Sequence, residues 1–449
     1  MNLLAIEWSS IATQAGQFIL SFSILIVLHE FGHFITAKKF GCRVEKFYLF
    51  FNPWFSLFKK KKGETEYGLG WIPLGGYVKI SGMIDESMDK EAMKKPAEPW
   101  EFRSKPAWQR LIIMLGGVIV NVILAILIFI VILWVWGKDY MPPSSAKYGL
   151  AVDSLAQTIG LKDGDVVLKV DTFTVKDILT LKGQVILKEA NTLTVKRGDS
   201  TVSLKVYDGL IRKLNTRSSG YFTGVRIPFY IKKFGKESGA ESAGLMVGDQ
   251  IIGINNNETP YFHEVQKAVM NKKNEAVQVK FIRGNDTLTK SVQLNEKGML
   301  GVERKSYDDL GMEIKTETFS FLQAIPAGFN ECWSTLGRYL TGLRQLFTGK
   351  ANPNESVGSV FSIGSIYSKV WDWQSFWTLT AIFSIILAFM NVLPIPALDG
   401  GHALFTLIEM ITGRKPSEKF LEYAQMVGMV LLMGLMAYAL GLDVLRWFK

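Results

Sequence analysis

The stretch "LIIMLGGVIVNVILAILIFIVILWVW", Leu111 to Trp136, decides the class of fold to which this chain belongs. It contains no Asp, Glu, Lys or Arg, and as a helix it is long enough to cross roughly 30 Å of hydrocarbon. Trp134 and Trp136 lie at one end, and indole rings are typical of the boundary between hydrocarbon and water. The chain is therefore predicted to span a membrane.

Three further stretches are almost as apolar: Trp8–Ala37, Ser375–Leu398 and Ala424–Leu442. Hydrophobic residues make up 48% of the 449 residues, including 12 Trp and 29 Phe. A length and composition of this kind favour a membrane protein with additional domains in its loops. We predict a polytopic α-helical membrane protein whose four transmembrane helices lie at residues 1–37, 108–136, 375–410 and 421–442.

The distribution of basic residues predicts how these spans are oriented, because short loops rich in Lys and Arg stay in the cytoplasm. Two loops carry such residues: Lys38, Lys39, Arg43, Lys46 and Lys59–Lys62 follow the first span, and Arg414, Lys415 and Lys419 precede the fourth. Both termini and the long segment 137–374 are then outside. The net charge of +10 is explained by this orientation, with the lysine run as a solvated turn, and no nucleic-acid partner is predicted.

The segment 38–107 is predicted to be a β-hairpin region with a linker on the cytoplasmic side. Three short runs, Val44–Phe51, Thr65–Ile72 and Gly75–Gly82, are rich in aromatic and β-branched residues and are interrupted by Gly and Pro, which is typical of strands. The neighbouring "NPWFSLF" predicts that this sheet touches the inner leaflet. The polar residues 85–99 are predicted to form a surface linker.

The outer segment contains an internal duplication. The stretches Ser154–Asp171 and Gly239–Asn256 share a short helix, Gly-Leu, Gly-Asp and a strand, about 84 residues apart. The pattern resembles the PDZ domains of bacterial periplasmic proteases, which predicts PDZ-like domains at 147–226 and 227–311. PDZ domains bind extended peptides by strand addition, so polypeptide partners are expected outside the membrane. An amphipathic helix on the outer membrane surface is predicted at 316–350.

The first span contains "HEFGH", His29 to His33, which places two imidazoles one helical turn apart. This spacing lets both histidines bind one Zn²⁺, while the carboxylate of Glu30 lies beside the metal as a general base. Ionisable groups at membrane depth are costly and therefore indicate function. The alternative, two buried histidines that only pack a helix bundle, leaves Glu30 unexplained.

A catalytic zinc site needs a third protein ligand and an open position. "NVLPIPALDGGH", Asn391 to His402, ends the third span, and the orientation brings it to the same side of the membrane as His29 and His33. Its prolines interrupt the helix and release backbone groups that need new partners. We predict Asp399 as the third ligand, and His402 is the alternative.

"HEFGH", "PLGGYVKISG", the paired PDZ-like units and "NVLPIPALDGGH" occur in the order found in the site-2 protease family of intramembrane zinc metalloproteases, which the whole chain resembles. The resemblance implies one Zn²⁺ per chain, bound by His29, His33 and Asp399, with Glu30 as the base. It also implies a set of residues that hold the substrate backbone: Asn391, Pro394, Pro396, Gly76, Tyr77, Val78 and Lys79.

By the same resemblance, the protein resides in a bacterial inner membrane and acts in the envelope stress response by regulated intramembrane proteolysis. Its expected substrates are transmembrane proteins such as a pre-trimmed anti-sigma factor, and signal-peptide remnants. The strand near Gly76 would pair with a locally unwound substrate, because hydrocarbon cannot satisfy exposed backbone groups.

Three other functions compete with this one. A prenyl-protein protease would carry the same zinc motif, but such enzymes take Glu as the third ligand and have no PDZ pair. A non-catalytic PDZ scaffold would not need the intact His29–Glu30–His33 set. A transporter also uses broken helices, but four spans and a zinc motif argue against it.

Overall fold

The computed structural model of the chain describes residues 8–83, 96–216, 219–236 and 238–448. The chain divides into two compact units. The helical unit comprises Met1–Gly137, Thr318–Leu343 and Val357–Lys449, and the β-rich unit comprises Lys138–Glu317 and Arg344–Ser356. The helical unit is thus assembled from three separate pieces of the chain.

The secondary-structure elements are numbered in chain order. The helices are α1 Trp8–Lys39, α2 Ala107–Val135, α3 Ser154–Gln157, α4 Leu181–Lys188, α5 Leu210–Leu214, α6 Gly239–Ser242, α7 Phe262–Val269, α8 Phe321–Phe347, α9 Pro353–Ser356, α10 Val360–Gly364, α11 Trp373–Val392, α12 Asp399–Thr412 and α13 Glu418–Trp447. Short 3₁₀ turns lie at Phe102–Ser104, Pro143–Ser145 and Asp308–Leu310.

The strands follow the same numbering. They are β1 Val44–Phe51, β2 Phe58–Lys62, β3 Thr65–Leu69, β4 Ile72–Ile80, β5 Lys138–Tyr140, β6 Leu150–Val152, β7 Val166–Val170, β8 Phe173–Thr174, β9 Thr192–Arg197, β10 Ser200–Lys205, β11 Thr223–Val225, β12 Phe229–Phe234, β13 Gln250–Ile254, β14 Asn257–Glu258, β15 Ala276–Arg283, β16 Asp286–Gln293, β17 Val302–Arg304 and β18 Lys315–Glu317.

Four of the described helices are long and apolar enough to cross a membrane: α1, α2, α11 and α13. They coincide in number and place with the four spans that hydropathy predicts. In α2 many side chains are nonetheless buried inside the protein, which makes it the central helix of the unit. Its neighbours α1 and α11 position the candidate site.

Helices α1 and α2 cross at two glycines. A Cβ atom on Gly32 would lie 2.3 Å from the carbonyl oxygen of Gly116, and one on Gly116 would lie 2.6 Å from the carbonyl oxygen of Gly32. Small residues at a crossing allow the close backbone contact by which membrane helices associate. Since Gly32 directly precedes His33, this contact holds the "HEFGH" face of α1 against α2.

The third predicted span, 375–410, is two helices rather than one. Helix α11 ends at Val392 and α12 begins at Asp399, and the connecting segment contains Pro394 and Pro396. Proline cannot donate the backbone hydrogen bond that a helix interior needs, which explains the break. Asp399 therefore lies at the first position of a new helix.

The segment after α1 forms a four-stranded sheet in the order β2-β3-β1-β4. β1 has the predicted bounds, but the strand predicted at 65–72 ends at Leu69, and the strand predicted at 75–82 is β4, which runs from Ile72 to Ile80. The lysine run is not a turn, because Lys59–Lys62 lie in β2, an exposed strand at one edge of the sheet. Charged residues on an edge strand hinder pairing with other chains. Most of the predicted linker 85–99 lies outside the described residues.

The β-rich unit contains two hydrophobic cores, one for each of the predicted repeats. The first includes Val167, Leu193 and Phe222, and the second includes Ile251, Val279 and Phe281. In each repeat an antiparallel sheet packs against a short helix, α4 or α7. The assignment of these repeats as PDZ-like domains stays a prediction.

The aspartate of the Gly-Asp pair forms an ion pair with an arginine of the same repeat in both cases. Asp165 Oδ2 is 2.7 Å from Arg197 Nη2, and Asp249 Oδ2 is 2.7 Å from Arg283 Nη2. Burial opposes ionisation of Asp249, but the hydrogen bond from Arg283 lowers the pKa of that carboxyl below its usual value. The shared ion pair is a structural duplication and indicates no chemistry in either repeat.

Helix α8 lies within the predicted amphipathic segment 316–350. Its exposed apolar side chains include Leu322, Phe329 and Trp333, while Ala324 and Cys332 are buried. Its placement on a membrane surface stays a prediction. Cys332 and Cys42, the two cysteines of the chain, are free thiols in buried positions.

Candidate active site

Three side chains of the helical unit converge on one point. His29 and His33 project from the same face of α1, and Asp399 projects from the start of α12. His29 Nε2 is 3.3 Å from His33 Nε2, and Asp399 Oδ2 is 3.1 Å from the first and 3.2 Å from the second. Both histidines are buried. The three atoms form a nearly equilateral triangle.

This triangle fits a tetrahedral zinc ion. With zinc–ligand bonds of about 2.0–2.1 Å, the ligand atoms of a tetrahedral site lie about 3.3–3.4 Å apart. Asp399 Oδ2 is buried and has no hydrogen-bond donor among the described residues. Three atoms that offer lone pairs at this spacing repel one another unless a cation lies between them. The donor set, two imidazoles and a carboxylate, is one that zinc prefers.

Helix α2 contacts the outer nitrogen of both histidines. His33 Nδ1 is 2.8 Å from the carbonyl oxygen of Ile113, and His29 Nδ1 is 3.1 Å from the side-chain amide of Asn121. Gly117 lies between these two residues on the same face of α2. A Cβ atom on Gly117 would lie 2.6 Å from His29 Cε1 and 2.6 Å from His33 Nε2, so only glycine leaves room for both rings.

Glu30 and the three converging residues line a cavity of about 390 Å³. His402, the alternative third ligand, lines the same cavity, but it does not belong to the group of described residues whose ligand atoms converge. Gln425 of α13 also lines it. The cavity therefore has room for water beside Glu30 and the triangle.

Strand β4 forms part of the wall of this cavity. It pairs with β1, with Gly76 opposite Leu49 and Val78 opposite Phe47, and it is the last strand of the described sheet on that side. A Cβ atom on Gly76 would lie 2.7 Å from Ile26 Cγ2 and 3.5 Å from Glu30 Cγ, so the strand backbone passes directly beside the face of α1 that carries Glu30.

Two further residues of β4 are held by their side chains. Tyr77 stacks on Tyr48, with ring centroids 5.3 Å apart, and its hydroxyl donates a hydrogen bond of 2.9 Å to Asn52 Oδ1. Lys79 Nζ is 3.4 Å from Glu45 Oε2. These contacts orient the edge of β4 before any other chain approaches it.

The remaining predicted site residues divide into two groups. Asn391 lies at the cluster, with its amide nitrogen 3.3 Å from His29 Nε2. Pro394 and Pro396 do not line the cavity. Pro396 instead packs against α13, where a Cβ atom on Gly428 would lie 1.7 Å from its carbonyl oxygen.

Sequence reasoning missed Asn121, Gly117 and Gln425. The signal for Asn121 was present, since a single amide within an otherwise apolar span is costly unless it has a partner. Gly117 and Gln425 gave no comparable signal, because their importance depends on which helix faces them.

A second group of potential ligands lies in the β-rich unit, formed by Asp163, His263 and Glu264. His263 Nε2 is 3.6 Å from Asp163 Oδ1 and 4.0 Å from Glu264 Oε1. The Arg226 guanidinium is 3.4 Å from the same Glu264 oxygen. Burial lowers the pKa of His263, and the neighbouring Asp163 opposes that shift.

Comparison of the sequence with known proteins identifies the family of this chain. The model of peptidase family M50 matches residues 17–435. A Clostridium perfringens protein whose name assigns it to the zinc metalloproteases is 30% identical over 93% of this chain and 94% of its own length. The regulator of sigma E protease of Haemophilus influenzae is 27% identical over 96% and 98%, and RseP of Salmonella typhimurium is 28% identical over 97% and 99%. The chain belongs to peptidase family M50, the site-2 proteases, and is a membrane zinc metalloprotease.

Proposed function

We propose that this protease hydrolyses peptide bonds within transmembrane segments, with His29, His33 and Asp399 holding zinc and Glu30 acting as general base. The observation that carries the proposal is the triangle of His29 Nε2, His33 Nε2 and Asp399 Oδ2 beside Glu30, on a helix long enough to span a membrane. A structural packing role would not require three lone-pair atoms within about 3.3 Å of one another beside a fourth ionisable group.

The division of labour follows from the positions of the residues. Zinc, when bound, supplies a Lewis acid that activates water and stabilises negative charge on the substrate carbonyl oxygen. Glu30 takes a proton from the attacking water and delivers it to the leaving amine, since its carboxylate lines the cavity that His29, His33 and Asp399 also line. The ring of His33 is oriented by the backbone carbonyl oxygen of Ile113, which lies 2.8 Å from His33 Nδ1.

The substrate must unwind before cleavage, because a helix hides its carbonyl groups in its own hydrogen bonds. Unwound backbone finds no hydrogen-bond partners in hydrocarbon, and a strand edge provides them. We assign this role to Gly76, Tyr77, Val78 and Lys79 of β4. The close passage of Gly76 beside Glu30 supports the assignment, because a chain added to β4 would run through the cavity.

The end of α11 completes this binding surface. Asn391, beside His29, is proposed to bind the substrate backbone near the scissile bond. Pro394 and Pro396 act indirectly in this scheme, because they end α11 and thereby set the position of Asp399. The left-handed backbone at Ala397, with φ of 79°, shows how sharply the chain turns just before that residue.

The proposed location is a bacterial inner membrane, with both termini and the β-rich unit on the periplasmic side. The basic residues at Lys38–Lys46 and Lys59–Lys62 support it, because they would hold the loop after α1 in the cytoplasm. The active site then lies toward the cytoplasmic side. Relatives named regulator of sigma E protease favour an anti-sigma factor as the substrate, with signal-peptide remnants as a second class.

The two repeats of the β-rich unit are proposed to act as PDZ-like domains that contact extracytoplasmic polypeptides. In the second repeat, a groove of about 300 Å³ is lined by Phe262 and Val265 of α7, by Val302 of β17 and by Leu300, which precedes that strand. β17 ends the described sheet, so an extended peptide could pair with its edge. We propose that the repeats mainly exclude substrates whose outer domains have not been trimmed.

The test is cleavage of a transmembrane peptide by the purified, zinc-loaded protein and by Glu30→Gln. The variant should retain its zinc and lose cleavage by at least about 100-fold, since a general base contributes that much or more. Glu264→Gln is the matched control, because it makes the same change beside a histidine of the β-rich unit and should cleave normally. Normal cleavage by Glu30→Gln would refute the proposed base, and a zinc-free wild type would refute the metal site.

A further inference from the structure

Asn121 is the single amide side chain in the apolar core of α2, and it is completely buried. Its Nδ2 atom is 3.1 Å from His29 Nδ1. Its Oδ1 atom is also buried and has no hydrogen-bond partner among the described residues. An amide buried this deeply costs free energy unless both of its polar atoms are satisfied, so its orientation requires an explanation.

The protons on His29 provide that explanation. His29 directs Nε2 toward His33 and Asp399, and a zinc ion held at Nε2 would leave the proton of the neutral ring on Nδ1. An Nδ1–H donor that faces the Nδ2 donor of Asn121 is a mismatch. Rotation of the Asn121 amide by 180° exchanges its oxygen and nitrogen. The rotated Oδ1 accepts the hydrogen bond from His29, which removes the mismatch between two donors, and Nδ2 then takes the buried position at which Oδ1 has no partner among the described residues.

The other histidine shows the same arrangement with a different acceptor. His33 Nδ1 donates to the carbonyl oxygen of Ile113 at 2.8 Å. Ile113 and Asn121 are separated by two turns of α2 and therefore lie on one face, with Gly117 between them. This face supplies one acceptor to each histidine. At Asn121 that acceptor comes from the side chain, so it can be removed by substitution.

The position of Asn121 is fixed from a third helix. The hydroxyl of Ser384 in α11 donates a hydrogen bond of 2.7 Å to the backbone carbonyl oxygen of Asn121. The bond joins the backbone of α2 to α11, the helix that carries Asn391 toward His29. The backbone at Asn121 is thus tied to α11, and the side-chain amide of the same residue lies against His29.

We infer that Asn121 is a positioning residue of the metal centre: its Oδ1 accepts a hydrogen bond from His29 Nδ1–H, which selects the tautomer and orients the ring. The inference rests on the proposed zinc site. Acceptors of this kind contribute about 10- to 100-fold in metal affinity at other histidine sites. The competing explanation is that Asn121 only joins helices, as polar residues do in membrane bundles.

Two substitutions distinguish these explanations by zinc affinity, measured by competition with a chelator in detergent. Asn121→Leu has a similar volume but no acceptor, and we expect its affinity to fall about 10- to 100-fold. Asn121→Asp restores an oxygen acceptor, and we expect its affinity to remain within a few-fold of the wild type. A purely packing role predicts the opposite order, because leucine packs well in an apolar bundle and a buried carboxylate does not.

Thr380→Val is the matched control, since Thr380 is a buried polar residue of α11 that bonds Ser21 at 2.9 Å, away from the triangle. Its zinc affinity should equal that of the wild type. The absorption spectrum of Co²⁺-substituted protein provides a second readout, because it reports ligand geometry and does not depend on cleavage.

The inference is overturned if Asn121→Leu binds zinc as tightly as the wild type, or if Asn121→Asp binds as weakly as Asn121→Leu. If the leucine variant does not fold, the aspartate variant decides: retained affinity supports the inference and lost affinity overturns it. A wild-type protein that binds no zinc would instead refute the proposed metal site, and that result is distinguishable from the others.

Discussion

The chain contains two clusters of histidine and carboxylate, one in each unit, and they differ in what their oxygen atoms already bind. In the helical unit, Asp399 Oδ2 lies 3.1–3.2 Å from both histidines and has no hydrogen-bond donor among the described residues. In the β-rich unit, Asp163 Oδ1 accepts a hydrogen bond of 2.7 Å from the backbone nitrogen of Val152. Glu264 accepts one of 3.0 Å from the nitrogen of Tyr261.

The cluster at His263 is also close to a permanent positive charge. Arg226 lies 3.4 Å from Glu264 Oε1 and stacks on the ring of Tyr261, at 3.6 Å from its centroid. A guanidinium neutralises the carboxylate that a metal would need. Residue types at short distances are therefore not sufficient for a metal centre, because their lone pairs must also converge and be available.

The largest expected effect concerns the third ligand. Asp399→Asn should lower zinc affinity by at least about 100-fold and abolish cleavage, because a neutral amide is a poor ligand for zinc. The matched change Asp163→Asn in the other cluster should alter neither quantity. Metal content after dialysis and cleavage of a transmembrane peptide measure the difference.

His402→Ala decides between the two candidates for that ligand. It should retain most of its zinc, since His402 lines the cavity but lies outside the converging group. Loss of zinc in His402→Ala together with retention in Asp399→Asn would reverse the assignment.

A smaller effect is expected at the edge of β4, the strand that lines the cavity of the first cluster. Val78→Pro removes a backbone donor from β4 and should reduce cleavage roughly 10-fold or more, with zinc still bound. Lys60→Pro makes the same change in β2, the opposite edge of the sheet, and should cleave normally. Equal cleavage by the two variants would show that β4 does not bind substrate. Loss of zinc in Val78→Pro would indicate misfolding.

The second cluster should make the stability of the fold depend on pH. Burial lowers the pKa of His263 below its usual 6.5, against the opposing effects of Asp163 and Glu264; Lys267 and Arg226 are the nearby cations. A histidine whose folded pKa is depressed stabilises the fold above its unfolded pKa, and that stability is lost as the pH falls through the folded value.

Thermal unfolding should therefore show a loss of stability below pH 6.5 that His263→Gln reduces, by roughly a few degrees in Tm. The substitution should leave zinc content unchanged. If the wild type and His263→Gln respond identically between pH 7.5 and pH 5, the buried histidine has no influence on stability in that range.

The smallest effect on the chemistry is expected from removal of the second cluster altogether. Deletion of about Lys147–Gly311 should preserve zinc binding and cleavage of trimmed substrates. The cut is favourable because β5 and β18 lie just outside it and pair with each other, Asp139 opposite Thr316, so a short linker can join the ends.

The shortened enzyme should also accept substrates with large outer domains, which the whole protein is expected to reject. Loss of cleavage of trimmed substrates by a folded, zinc-loaded deletion variant would mean that the repeats recruit substrate rather than exclude it.

Local patterns in the sequence were sufficient for the spans, the duplication and the pair of histidines. Hydropathy over a helix length requires only neighbouring residues, and "HEFGH" places two imidazoles on one face of any helix. The sheet was less predictable. The boundary between β3 and β4 was predicted after Ile72, although β4 already begins there, because the interruption at Gly70–Trp71 is short. The lysine run in β2 has a composition that usually indicates a turn.

The sequence by itself thus determined a membrane protein with an H-E-x-x-H helix, an interrupted third span and a repeated unit between the second and third spans. Only the tertiary structure decided that Asp399 rather than His402 meets the two histidines, and that Gly117 and Asn121 of α2 pack against their rings. These contacts join residues far apart in the chain, and helix periodicity states which side chains share a face but not which face they meet. That choice depends on close packing, such as the crossing of Gly32 and Gly116.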